Sequence, residues 1–296
     1  MTLGASRLPQ VVGVRGFGYL SQAIQRALDV LEILAGPPVA NRGLTLTELS
    51  ASLSLPKSTT LRLLANLEAR GLVEQDDSRR YRIGLRLFSI GSQALAGNDV
   101  RRQARPYLEE LAYKVGESAY LAILDQDHAL YIDRIESPQP VLKMSPIGSH
   151  RPLHATAVGK VLMSSLDPEV VEGIISRTGL PALTPNTVTD PEVLKDRLEL
   201  IRQRAFDVEH GEYSEALTCM AAPIRDATSR VVAAIGLSGP SWRLEDERLV
   251  AAITALGESA RSISRELGHS TLDAVSTHEQ TPNLAQSLTK RISRQA

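Results

Sequence analysis

Lys57, Ser58, Thr59 and Arg62 stand at the head of the stretch "PKSTTLRLLANLEARG", and Asn66 follows one turn later. Their side chains carry N–H and O–H donors of the kind that bind phosphates and the edges of bases. Yet the apolar spacing predicts a helix here, and hydroxyl-bearing and β-branched residues are poor choices inside one. Advancing about 100° per residue from Lys57 puts Leu61, Leu64 and Glu68 on one face, with Thr60 leaning toward it. Ser58, Thr59, Arg62 and Asn66 fall on the opposite face. A helix start also offers main-chain N–H groups to an anion, and Lys57 sits there. The alternative is that Ser58 and Thr59 merely cap a solvated helix.

The elements around this helix decide between the two. "QAIQRALDVLEILAG" carries Ile24, Leu28, Leu31 and Leu34 at helical spacing, and Gly36-Pro37-Pro38 ends it. A second helix starts after Leu44, where Thr45 and Glu48 form a capping box. Pro56 suits the first turn of the third helix and Gly71 its stop. "LVEQDDSRRYRIG" then reads as two short strands around a polar turn. Three helices followed by a hairpin are the order of a winged helix-turn-helix. Arg79, Arg80 and Arg82 on the hairpin could reach a minor groove or its phosphates, or stand as solvated turn and edge-strand residues.

Beyond residue 84 a helical stretch over 85–102 leads into a second segment. "SAYLAILDQDHALYIDRIES" is a hairpin with Tyr120, Ala122 and Leu124 on one face. A helix in "RPLHATAVGKVLMSSL", a helix capped by Asp190, strands in "TCMAAPIRD" and "RVVAAIGLSGP", and a long closing helix follow. The fold class is α+β. Residues 1–19 are expected as a flexible arm and 269–296 as a disordered tail.

The chain has 296 residues, of which 43% are apolar and 23% charged, a length that suits two domains. The lone cysteine, Cys219, excludes an internal disulfide and a Cys-based zinc finger, and points to a reducing cytoplasm. No run of about 18 apolar residues is present, so no membrane partner is expected. The first 95 residues carry 11 Lys and Arg against 7 Asp and Glu, whereas the remainder carries 22 against 27. A basic segment joined to an acidic one suggests a polyanion-binding part and a part with another task.

Catalytic and cofactor signatures are missing. His128, His150 and His210 lack metal-ligand spacing, and "GLSGP" is not a nucleophile elbow. No P-loop or dinucleotide fingerprint appears, so neither metal nor cofactor is expected. Read alone, Cys219 is a small buried hydrophobe, and His154 packs or caps at a helix start.

Roughly residues 20–268 resemble the IclR family of bacterial transcriptional regulators. The resemblance is carried by "RALDVLEIL", "LTLTELSASLSLPKSTTLRLLANLEARGLVEQ" and "YRIGLRLFSIGS" in the first domain. "RPYLEELAYKVGESAYLAILD", "PIGSHRPLHATAVGKVLMSSL", "EYSEALTCMAAPIRD" and "GLSGPSWRL" carry it in the second. It implies a winged helix-turn-helix over 20–84, a linker helix over 85–102 and a GAF-like effector-binding domain over 103–268. It also implies a homodimer or homotetramer on near-palindromic double-stranded operator DNA, with affinity set by a small-molecule effector. Carried over by position, the Ala157 and Val158 amides would face an anionic ligand such as a carboxylate, with Glu209, Cys219, Gly236 and Ser238 opposite. Gly236 stands where some relatives have serine, and Ala216 where glycine is usual. Arg151 could clamp a carboxylate or be a surface residue on a loop.

Three functions compete. An enzyme lacks its catalytic constellation here. A ligand-free architectural DNA binder does not need so large an acidic second domain. A ligand-responsive, sequence-specific regulator accounts for both halves.

Overall fold

The computed structural model describes residues 21–36, 39–96, 99–137, 139 and 146–269. The expected arm over 1–19, and all of the expected tail except His269, lie outside the described residues. The chain divides into two compact units, Met1–Ala94 and Leu95–Ala296.

In the first unit, α1 (Gln22–Ala35), α3 (Leu46–Ser52) and α4 (Lys57–Glu68) pack around Val30, Leu34, Leu49, Leu64 and Leu67. A one-turn α2 (Val39–Arg42) and a two-residue β1 (Leu44–Thr45) precede α3. The sequence patterning did not announce either. β1 pairs with β3 (Arg80–Ile83), which pairs with β2 (Val73–Gln75), giving an antiparallel order β1-β3-β2. This is the expected winged helix-turn-helix. The core face of α1 differs from the expected one: Val30 and Leu34 are buried, whereas Ile24 and Leu28 are exposed. The covered stripe is the one that meets α2, α3, α4 and β3, and the Ile24–Leu28 side is left largely exposed within this unit.

Glu48 holds three elements together. Its main-chain N–H donates to Thr45 Oγ1 at 3.3 Å, and its Oε2 accepts from Thr45 N at 2.8 Å, completing the capping box. The same Oε2 takes Arg80 Nη1 at 3.2 Å, so the wing is tied to the start of α3. Two hydrogen bonds from Thr45 keep the Glu48 carboxyl below its ordinary value.

The stretch expected as one bridging helix is occupied by α5 (Leu85–Ala96) and the start of α6 (Asp99–Val115). The second unit is a six-stranded antiparallel sheet, in order β6-β5-β4-β9-β8-β7. The strands are β4 (Ser118–Asp125), β5 (His128–Ile135), β6 (His150–Pro152), β7 (Asp207–His210), β8 (Leu217–Arg225) and β9 (Val231–Pro240). α6 and α10 (Asp246–Glu266) pack on one face around Leu108, Leu121, Ile235 and Leu256. α7 (Ala157–Ser164), α8 (Pro168–Thr178) and α9 (Pro191–Arg204) cover the other, around Val161, Leu162, Ile174 and Leu198. Tyr120, Ala122 and Leu124 share the α7 side as expected, but Ala119 and Leu121 are equally buried on the opposite side. With helices on both faces, β4 reads as a continuous apolar run.

Replacing Thr45 by Ala removes one half of the capping box. The Thr45→Ala variant is expected to lose about 1 kcal/mol in the first unit, measured as a lower midpoint of its unfolding transition in urea, with the second unit's transition unmoved.

Candidate functional site

Two sites emerge, one in each unit. α4 buries Thr60, Leu64 and Leu67. Thr60 is 0% exposed and its hydroxyl donates to the Pro56 carbonyl at 3.2 Å, so it faces the core as its angular position predicted. Lys57, Ser58, Arg62 and Asn66 are exposed and Thr59 is half-buried. Leu61, expected on the core face, is 48% exposed. The buried arc centres on Thr60, Leu64 and Leu67 rather than on Leu61 and Leu64, a rotation that turns Leu61 and Ala65 outward between Lys57 and Ser58. Asn66 Nδ2 donates to the Arg62 carbonyl at 2.7 Å, which engages one end of its amide within α4. The first main-chain bonds back to Pro56 come from Thr59 N and Thr60 N, both at 3.0 Å. The earlier amides, of Lys57 and Ser58, have no intrahelical acceptor.

The three wing arginines are not equivalent. Arg80 is committed to Glu48 and to the Gly43 carbonyl, the latter at 3.2 Å. Arg82 pairs with Asp76 at 3.1 Å. Arg79 lies exposed on the hairpin turn at φ +59°, and no ion pair engages it among the described residues. A left-handed non-glycine residue is uncommon and mildly strained.

The second site is built on a row across the sheet. Glu209 on β7 pairs with Cys219 on β8, Cys219 with Ser238 on β9, and Ser238 with Ser118 on β4. Beside it runs Ala221, Gly236 and Tyr120. Residues directly opposite in a ladder share a face, and the Tyr120 face is the one α7 covers. Cys219 Sγ and Ser238 Oγ are 3.3 Å apart. Thr156 caps α7 by accepting from Gly159 N at 3.2 Å, and Ala157 and Val158 are buried behind it. A Cβ on Gly159 would lie 2.5 Å from the Leu153 carbonyl oxygen, so only glycine lets α7 settle there. A Cβ on Gly236 would lie 2.8 Å from Val158 Cγ1. Glycine at 236 and valine at 158 therefore fit as a pair.

Arg151 belongs to β6, paired with Ala129, and its guanidinium stacks over the Tyr213 ring at 5.1 Å. It is a strand residue rather than one on a loop. His154 is buried, with Nε2 3.1 Å from the Pro181 carbonyl, and burial lowers its pKa. Desolvation pushes the Cys219 thiol well above its ordinary value, leaving it protonated rather than nucleophilic.

Sequence reasoning missed the charges behind this row. Lys160 is 0% exposed, with Nζ 2.6 Å from Glu212 Oε1 and 3.6 Å from Asp207 Oδ2. Arg197 Nε donates to Asp207 Oδ1 at 2.7 Å. Glu212 N donates to Glu209 Oε2 at 2.8 Å. Glu209 is 1% exposed, and desolvation raises its carboxyl to about 7 against the opposing pull of Cys219 and Lys160. Tyr120 and Tyr131 meet edge to face at 5.4 Å, and burial raises both hydroxyls. The signal for Lys160 was available: in "AVGKVLMS" it is the single charge in a helix whose every residue is buried. Among the described residues no group of side chains forms a metal site, and no helix is long and apolar enough to cross a membrane.

A winged helix that leaves a polar arc outward, in one chain with a sheet domain enclosing acid, thiol and hydroxyl groups under a helix start, defines a ligand-responsive transcriptional regulator. Residues 23–77 match the IclR helix-turn-helix domain and residues 92–265 the C-terminal domain of the bacterial transcriptional regulator IclR. The HTH-type transcriptional repressor AllR of Escherichia coli K12 is 37% identical over 250 residues, which span 84% of this chain and 91% of that protein. The IclR structure from Thermotoga maritima aligns with a TM-score of 0.69 at 28% identity, covering 83% of this chain and 98% of that one. An IclR homologue from Microbacterium hydrocarbonoxydans, complexed with 4-hydroxybenzoate, aligns at 0.73 and 27% identity, with 83% and 98% covered. The chain belongs to the IclR family. It is a ligand-responsive, DNA-binding transcriptional regulator and not an enzyme.

Glu209 has a folded pKa above its unfolded one, so it favours the folded state at low pH. That contribution is lost as pH rises from about 4.5 through about 7. Glu209→Gln is therefore expected to match the wild type in stability near pH 4.5. It should exceed the wild type above pH 7 by up to about 3 kcal/mol, read as the difference between their urea-unfolding curves across that range.

Proposed function

We propose that the outward arc of α4 reads operator DNA in the major groove, with Ser58, Thr59 and Arg62 contacting base edges or phosphates and Asn66 a lesser partner. Exposure of Ser58 and Arg62 at one end of a helix whose opposite arc is core is the observation that carries this reading. Lys57, together with the free amides at the start of α4, binds a phosphate. Arg79 is the wing contact to the backbone, while Arg80 and Arg82 shape the wing through Glu48 and Asp76.

The effector is a small carboxylate held between the Ala157 and Val158 amides and the row of Glu209, Cys219, Gly236 and Ser238, with Arg151 beside it. Helix-start amides suit a carboxylate. The 4-hydroxybenzoate held by the Microbacterium homologue supports an acid as the ligand class. The functional protein is a cytoplasmic homodimer or homotetramer. Exposed Ile24 and Leu28 on α1, and Leu85, Phe88 and Ile90 on α5, supply apolar surface for self-association. The effector changes operator affinity only as far as it binds two conformations of the protein unequally.

Two variants separate specificity from electrostatics in gel-shift titrations of operator DNA. Arg62→Ala is expected to weaken binding by about 1–3 kcal/mol and to narrow the gap between operator and random sequence. Arg79→Gly accommodates the turn at φ +59° without strain. It should weaken binding to all sequences alike and reduce the salt slope by about 1. Wild-type affinity in Arg62→Ala would remove α4 from the interface; an unaltered slope in Arg79→Gly would remove the wing.

A further inference from the structure

Leu61 is 48% exposed, on a helix that buries its other leucines fully or in part. The other exposed large apolar side chains described in the first unit lie on α1 and α5: Ile24, Leu28, Leu85, Phe88 and Ile90. Leu61 belongs to neither group and stands in the second turn of α4. Ala65, one turn further on, is exposed as well. Residues four apart are neighbours on a helix surface. The two therefore form a short apolar strip, with Lys57 on one side and Ser58 and Arg62 on the other, all three exposed.

One exposed leucine is ordinary by itself. Here its neighbours carry N–H and O–H donors and two positive charges, which suit a polyanion and the edges of bases. A helix that brings those donors into a major groove brings Leu61 against a base edge too. Most groups on that edge are polar: the O6 and N7 of guanine, the N6 and N7 of adenine, the N4 of cytosine. A leucine laid over any of them takes away water and returns no hydrogen bond, which is costly. The C5-methyl of thymine is the apolar group on that edge. Covering it removes two apolar surfaces from water at once. Ala65 is small enough to let the strip approach.

We infer that Leu61 is a specificity-determining residue that covers the C5-methyl group of a thymine, with Ala65 beside it. It selects a T·A pair at its position, while the donors around it hold the helix in the groove. This rests on the reading of α4 as the helix that reads DNA.

The test uses duplexes that the full chain selects from a random-sequence pool. Each thymine of the selected site is replaced in turn by uracil, which lacks the methyl group and keeps every hydrogen-bonding atom. Gel-shift titration of the wild type is expected to show a thymine in each half-site where uracil weakens binding about fourfold, the worth of one buried methyl group. In Leu61→Ala, uracil and thymine should bind alike at that position, with other uracil-sensitive positions unchanged. Leu61 is exposed and alanine is a good helix former, so the variant should keep its urea-unfolding midpoint; Leu61→Gln serves if it does not fold. A uracil profile in the variant that matches the wild type, or a wild type indifferent to uracil everywhere, overturns the inference. If Arg62→Ala still weakens binding to the same duplexes, α4 remains the reading helix. If Arg62→Ala binds them as the wild type does, or the pool yields no preferred sequence, both fall.

Discussion

Lys160 must find negative partners without water. An ammonium at 0% exposure cannot stay charged in an apolar interior unless carboxylates meet it. They come from β7 and from the loop after it, as Asp207 and Glu212. The pairing fixes α7 against an edge strand that has little apolar side chain of its own to offer. Close packing follows from the same docking: Gly159 under Leu153, Gly236 under Val158. Removing one member of such a set leaves the others buried and uncompensated, which destabilises the fold.

The first unit shows the same device at lower stakes. Glu48 serves the capping box and Arg80 at once, but both partners of that ion pair are about one-third exposed. Water shares the load, and the pair contributes modestly. Its value is geometric, since it sets where the wing stands against the α3 start and leaves Arg79 as the one of the three wing arginines with no ion pair among the described residues. Thr60, one residue from the outward arc, closes its hydroxyl on Pro56 and packs inward.

Elements with strong periodicity or capping were legible in the sequence. The capping box at Thr45 and Glu48, Asp190 at the head of α9, and the hairpins of β4–β5 and β8–β9 are where patterning put them. Local chemistry decides those. β7 was not legible, because its inward residues Asp207 and Glu209 are polar, and their burial depends on Lys160 and Arg197 from distant elements. β6 and α8 went unannounced, β6 for its three-residue length. On α4 the helical wheel was right in kind and turned in angle, since the core side is chosen by where α1 and α3 lie rather than by the apolar residues alone. Within the candidate effector row, Glu209, Cys219 and Ser238 were expected through family resemblance, whereas Lys160 and Glu212 required the fold.

Charge therefore works in opposite regimes along one chain. Lys57, Arg62 and Arg79 are exposed, where physiological salt screens beyond about 8 Å. On the proposed reading Lys57 and Arg79 would meet phosphates, contacts that are attractive over many sequences and, through counterion release, steeply salt-dependent. Lys160, Asp207 and Glu209 are buried away from water and salt, so their interactions depend on geometry instead. A regulator arranged this way can have its DNA affinity tuned by ionic conditions with little change in how the effector is recognised. On the proposed reading, the strength of the response is bounded by how differently the buried row would hold its ligand in the two states.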